Sequence, residues 1–141
     1  MISVWSMNHK TWHSKTIAKM DRLEQIFQLQ ESFMEVLSNN KEKLPEWPVD
    51  PSDKKAQQFI RDIIHRGTEE AFEALLHLKN WKPHKHTEVK EFDRAAFLEE
   101  MIDDFTYKLE ALILMGFKPE EFYDAFCQKN GKNVNRVKGD Y

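Results

Sequence analysis

Along residues 92–115 the apolar side chains Leu98, Met101, Ile102, Phe105, Leu109, Leu112 and Ile113 recur at the spacing of one helix face, with no glycine or proline to interrupt them. Asp93 is a ready N-cap and Gly116 a ready stop, so one long helix is expected there. A strand would need a period of two. The same pattern recurs elsewhere, and residues favouring strands are few, so the chain reads as all-α: a bundle of about four helices. The first helix is expected over residues 16–39, burying Met20, Leu23, Ile26, Leu29, Phe33 and Val36 or Leu37. Pro45, Pro48 and Pro51 hold an extended connection, and Asp50 before Pro51 opens the second helix, which continues to about residue 79. Its stripe is Ile60, Ile63, Ile64, Ala71, Leu75 and Leu78, with a kink expected at Gly67, where Thr68 can cap a restarted segment. Residues 80–91 read as a loop. Pro119 starts a short fourth helix ending before Gly131, and residues 131–141 read as a polar, basic, loop-like tail.

Two acidic pairs stand on these helices. Glu70 and Glu73 are three apart on the second, Glu100 and Asp103 three apart on the third, and residues so spaced share a helix face. Glu70, Glu73 and His77 border the apolar stripe. Glu100 and Asp103 lie opposite theirs, on a face that also carries Ala96, Tyr107 and Leu114, so the third helix is expected to bury two sides. Packed together, the two helices would converge four carboxylates, a donor set that suits Mg²⁺. In a chain that is 32% charged, such pairs also recur on solvated faces, so the spacing alone leaves open whether they bind metal, pair with Arg66 or a lysine, or only meet water.

Several functions are disfavoured by composition. The 141 residues suffice for one domain with a proper core, expected over residues 16–130. A net charge of −3 argues against a nucleic-acid or anionic-membrane binder. The lone Cys127 excludes an internal disulfide framework and a cysteine-rich zinc site, and fits a reducing cytoplasm, or a host's cytoplasm for a phage-encoded chain. No apolar run approaches a membrane span, and residues 1–15 lack a secretory leader's hydrophobic stretch. That segment carries Trp5, His9, Trp12 and His13 and receives no function. The glycines, at 67, 116, 131 and 139, build neither a P-loop nor a dinucleotide fingerprint, so phosphates would have to be held by metal and basic side chains. His84 and His86 lack a third ligand nearby and read as solvated residues.

Taken in order, the motifs resemble those of the dimeric dUTPases, within the all-helical nucleoside triphosphate pyrophosphohydrolases that include MazG-like enzymes. The similar stretches are Ile26-Phe27-Gln28-Leu29-Gln30, the two acidic pairs, Leu78-Lys79-Asn80-Trp81-Lys82, and Lys129-Asn130-x-x-Asn133-x-x-Arg136 followed by Tyr141. The resemblance implies Mg²⁺-dependent hydrolysis of a deoxynucleoside triphosphate to the monophosphate and pyrophosphate. Glu70, Glu73, Glu100 and Asp103 would hold two ions between the second and third helices, with Mn²⁺ able to substitute and Glu73 as general base. Gln30, Trp81 and Tyr107 would contact base or sugar. Lys82, Lys129, Asn133, Arg136 and Tyr141 would grip phosphates and sugar, the tail closing over them, in a homodimer or higher homo-oligomer. Met34 stands where the family generally has asparagine. The base is therefore open among uracil, cytosine, a modified pyrimidine and a broad MazG-like range. A helical interaction module without turnover is the alternative of another class.

Overall fold

The termini of the helices are set by short-range chemistry. In the computed structural model, which describes residues 19–139, helix α1 (Arg22–Asn40) begins at Asp21, whose carboxylate accepts from the Glu24 N–H at 2.8 Å while Glu24 accepts from the Asp21 N–H at 3.1 Å. This reciprocal cap puts the start later than position 16. Helix α2 (Lys54–Leu76) is capped by Asp53, which accepts from the Ala56 N–H at 2.9 Å. Asp50 does not cap it. Its carboxylate instead accepts from the Ser52 N–H and hydroxyl, holding a turn ahead of the helix. Helix α3 (Arg94–Leu114) starts at Asp93 as expected and ends at Gly116, whose φ of +84° terminates it. Helix α4 runs Pro119–Lys138. These are the helices of the described residues, and no strand occurs among them. None is long and apolar enough to cross a membrane. The segment 1–15 and Tyr141 lie outside the described residues.

Three expectations are corrected. No break occurs at Gly67: α2 is continuous, and the Thr68 hydroxyl donates to the Ile64 carbonyl at 3.1 Å instead of capping a new segment. The loop-like tail is, through Lys138, the second half of α4. Glu120 and Glu121 in its first turn and Arg136 and Lys138 in its last complement the helix dipole, while Gly131 costs about 1 kcal/mol against alanine, too little to break it. The true stop is Gly139, at φ +80°. On α1 the buried face is Phe27, Gln30 and Met34, whereas Ile26, Leu29, Phe33 and Val36 are exposed. Counting apolar residues shows which faces avoid water, not which face a neighbour covers.

The described chain forms two compact units. One holds α1 and α4, where the Phe27 and Phe122 rings meet edge-on at 5.8 Å. The other, Pro45–Gly116, holds α2 and α3, which pack more extensively than any other pair. Its entry strap is tied to the end of α3, where the Val49 N–H donates to the Leu114 carbonyl at 2.8 Å. A side chain at Gly116 would strike Pro48, whose Cβ lies 2.9 Å from the position it would take.

Candidate metal centre between two helices

The pairing of α2 with α3 follows a three-four alternation on both helices, the rhythm that keeps one seam facing a partner. On α2 it runs Ala56, Ile60, Ile63, Gly67, Glu70, Ala74 and His77, all buried or half-buried. On α3 it runs Glu100, Asp103, Tyr107, Glu110 and Leu114, with Asp104 and Ala111 beside it; Asp104, Glu110, Ala111 and Leu114 are buried. Burying Ile63 and Leu114 stabilises the pair by roughly 1.5–3 kcal/mol each. The acids in the same seam oppose that through desolvation.

The apolar stripe expected to face the core of α3 is split: Ile113 is buried and Met101, Leu109 and Leu112 are half-buried, while the other three residues are exposed. Leu98, Ile102 and Phe105 are 60%, 50% and 52% exposed, and Ile64 and Leu75 on α2, with Leu78 just past its end, are exposed as well. The helix does bury its acidic side.

One carboxylate oxygen each from Glu70, Glu100 and Asp103 lies within 4.8 Å of the other two. Burial raises the Glu70 carboxyl above the ordinary glutamate range, and repulsion from Glu73, Asp103, Glu100 and Glu69 raises it further. Tyr107 is half-buried one turn along; burial and then the charge of Glu70 push its hydroxyl upward, with Arg66 acting in the opposite sense. Arg66 pairs with Asp62 at 2.9 Å, and Lys108 pairs with the buried Asp104. An all-oxygen set of three converging carboxylates is a donor group that a hard divalent cation fits.

Glu73 is not among the three converging oxygens. It is exposed, on the flank of the same helix, and is felt by Glu70 through its charge. Trp81 and Lys82 are exposed in the loop after α2, with the Lys82 ammonium 5.8 Å from the Trp81 ring centroid; the Asn80 side chain fastens that loop by accepting from the Thr87 N–H at 3.0 Å. Gln30 is buried on α1 beside the fully buried Met34, one turn along the same face. Lys129, Asn133 and Arg136 fall at i, i+4 and i+7 on α4, so the helix lines them along one exposed face. Sequence reasoning missed Asp104 and Glu110, and read Gly67 only as a kink. The three-four alternation of positions 56 to 77 and 100 to 114 was the available signal, hidden because the richer apolar stripes lie elsewhere on the same helices.

Comparison with protein families, curated proteins and solved structures found no match.

Proposed function

We propose that the chain is a Mg²⁺-dependent nucleoside triphosphate pyrophosphohydrolase, a hydrolase of nucleotide metabolism acting on a deoxynucleoside triphosphate with a dUTP-like pyrimidine and releasing pyrophosphate. The observation that carries this reading is the convergence of the Glu70, Glu100 and Asp103 oxygens in the seam of two helices. Glu70 and Glu100 are half-buried in that seam, whereas the solvated acids Asp62, Glu69 and Glu99 lie on the outer faces. Mg²⁺ held there, as one ion or two, would supply charge neutralisation for the triphosphate and an acidified water. Glu70, Glu100 and Asp103 bind and orient; Glu73, exposed beside Glu70, accepts the proton from the attacking water; Tyr107 donates a hydrogen bond at the rim. The resemblance would assign Lys82, Lys129 and Arg136 to the phosphates, Gln30 and Trp81 to the base, and Asn133 and Tyr141 to the sugar. The exposed Leu98, Ile102 and Phe105 on α3 support a homodimer, in which a second copy covers them.

Phosphate release from a panel of nucleoside triphosphates, with pyrophosphatase present and with or without Mg²⁺, tests the reading. Mg²⁺-dependent release from a deoxypyrimidine triphosphate is expected. No release from any nucleotide, by protein that is folded and supplied with Mg²⁺, would leave a helical interaction module in its place.

A further inference from the structure

Gly67 stands in the middle of α2, buried, where glycine costs about 0.5–1 kcal/mol relative to alanine. A Cβ built there would lie 2.9 Å from the Cβ of Tyr107, 3.1 Å from a carboxylate oxygen of Asp104 and 3.2 Å from the Asp104 backbone carbonyl. Carbon atoms in contact prefer about 3.5–4.0 Å. The first and third of these obstacles belong to α3's backbone or to a Cβ fixed upon it, so no rotamer change relieves them; α2 and α3 must move apart. Gly131, the other glycine inside a helix, meets nothing within 4 Å.

A close approach of the helices therefore falls one turn from Glu70 on α2, and at the residue directly after Asp103 on α3. We infer that Gly67 is a positioning residue for the cation site: its missing side chain sets the spacing at which Glu70 on one helix meets Glu100 and Asp103 on the other. The inference rests on the reading of that cluster as a cation site. Gly67 touches neither metal nor substrate. It acts through the separation of two backbones, which the flexible stems of the glutamates only partly make up.

The test is Mn²⁺ binding, counted from the paramagnetic resonance signal of free Mn²⁺, on the full chain and its variants, with circular dichroism reporting the fold. Gly67→Ala is expected to stay helical and weaken Mn²⁺ binding by roughly 10- to 100-fold, the range seen when groups supporting metal ligands are altered. Gly131→Ala is expected to leave Mn²⁺ affinity unchanged and raise the melting temperature by about 3 °C. The double variant Gly67→Ala with Tyr107→Gly removes the closest of the three contacts and leaves the 3.2 Å approach to the Asp104 carbonyl, so it should recover part of the affinity lost in Gly67→Ala; it also serves where Gly67→Ala is too unstable to assay. Wild-type binding that Gly67→Ala leaves within about twofold would overturn the inference and spare the cation site. Folded double variant without recovered affinity would likewise overturn it. Wild-type protein that binds no Mn²⁺ through Glu70, Glu100 and Asp103 would overturn the cation site itself, and the inference with it.

Discussion

Between α2 and α3 the carboxylates of Asp104 and Glu110 are buried while Leu98, Ile102 and Phe105 stay at least half exposed, whereas in α4 no residue is buried and acids and bases are sorted along the axis in the order its dipole favours. Both helical regions are rich in charge. In the first, charge is held by tertiary packing, in a seam where Glu73, Asp103, Glu100 and Glu69 repel the Glu70 carboxylate while Lys108 pairs with Asp104. In the second, charge supports a helix locally and faces water. Removing a seam carboxylate should consequently change what the protein can bind while relieving the fold. Removing an α4 charge should leave the fold untouched.

The largest effect is expected where the seam's charge is removed. Glu100→Ala, and separately Glu73→Gln, should lower turnover by on the order of a thousandfold or more, with the helical circular dichroism signal retained. The two variants also separate the roles. Glu100 is one of the three converging oxygens, so its loss should abolish Mn²⁺ binding; Glu73 lies outside them, so its loss should spare much of that binding and remove the proton acceptor. Wild-type activity in both would end the metal-site assignment. Equal loss of Mn²⁺ affinity in both would return Glu73 to the ligand set.

Met34 gives the next largest effect, and contrasts α1 with both other regions because its side chain is fully buried. Met34→Asn places an amide there and should destabilise the protein by about 1–3 kcal/mol, read as a shift in denaturation midpoint. The same residue bears on the base. Where the resemblance expects an asparagine this chain buries a methionine, so no second amide reads the base there and discrimination of dUTP from dCTP or dTTP should be modest. A wild-type preference for dUTP above about a thousandfold would show that selectivity is set elsewhere.

Along α4 the expected effects fall on binding alone. If the face carrying Lys129, Asn133 and Arg136 meets phosphates, Arg136→Ala should cost about 2 kcal/mol in kcat/KM, as for a charge-assisted contact, with no change in melting temperature. Stopping the chain after Gln128 removes no buried side chain among the described residues, so it should raise KM and lower kcat while α2 and α3 stay folded. Unchanged kinetics in the truncated protein would show that the basic face of α4 takes no part.

How much of this was legible beforehand differs by region, for physical reasons. Helix α3 was bracketed correctly because Asp93 and Gly116 act locally, through one cap and one left-handed residue. The end of α4 was misplaced because Gly131 is only a weak breaker when charges on both sides suit the dipole. Two pairs of carboxylates on facing helices could be inferred from i, i+3 spacing, and three of the four converge. Which of Glu70 and Glu73 points inward could not be: a helix face is about a third of the circumference, and the seam passes through positions 67, 70 and 74, a line defined by the partner helix. The buried side of α1 was misjudged for the same reason, whereas α3 buries the acidic side expected of it and leaves Leu98, Ile102 and Phe105 of its apolar stripe open.

The smallest effect concerns pH, and tests the crowding of the seam without any assay of function. The folded Glu70 holds its proton more tightly than an ordinary glutamate, because ionising it costs desolvation and repulsion from Glu73, Asp103, Glu100 and Glu69. Between the unfolded value, about 4.3, and the raised folded one, the native state binds more protons than the unfolded chain. Stability from this group therefore falls as pH rises through that window and levels off above it. Glu70→Gln does not titrate there. Its melting temperature should match wild type below about pH 4 and exceed it by about 1–3 °C at pH 7, without metal. Saturating Mg²⁺ at pH 7 should reverse the order, since a cation that binds only the folded wild type stabilises it alone. A wild type more stable than Glu70→Gln at pH 7 without metal would mean that Glu70 is paired with a cation of the protein itself, and the contrast between the crowded seam and the solvated α4 would fail at the residue on which it chiefly rests.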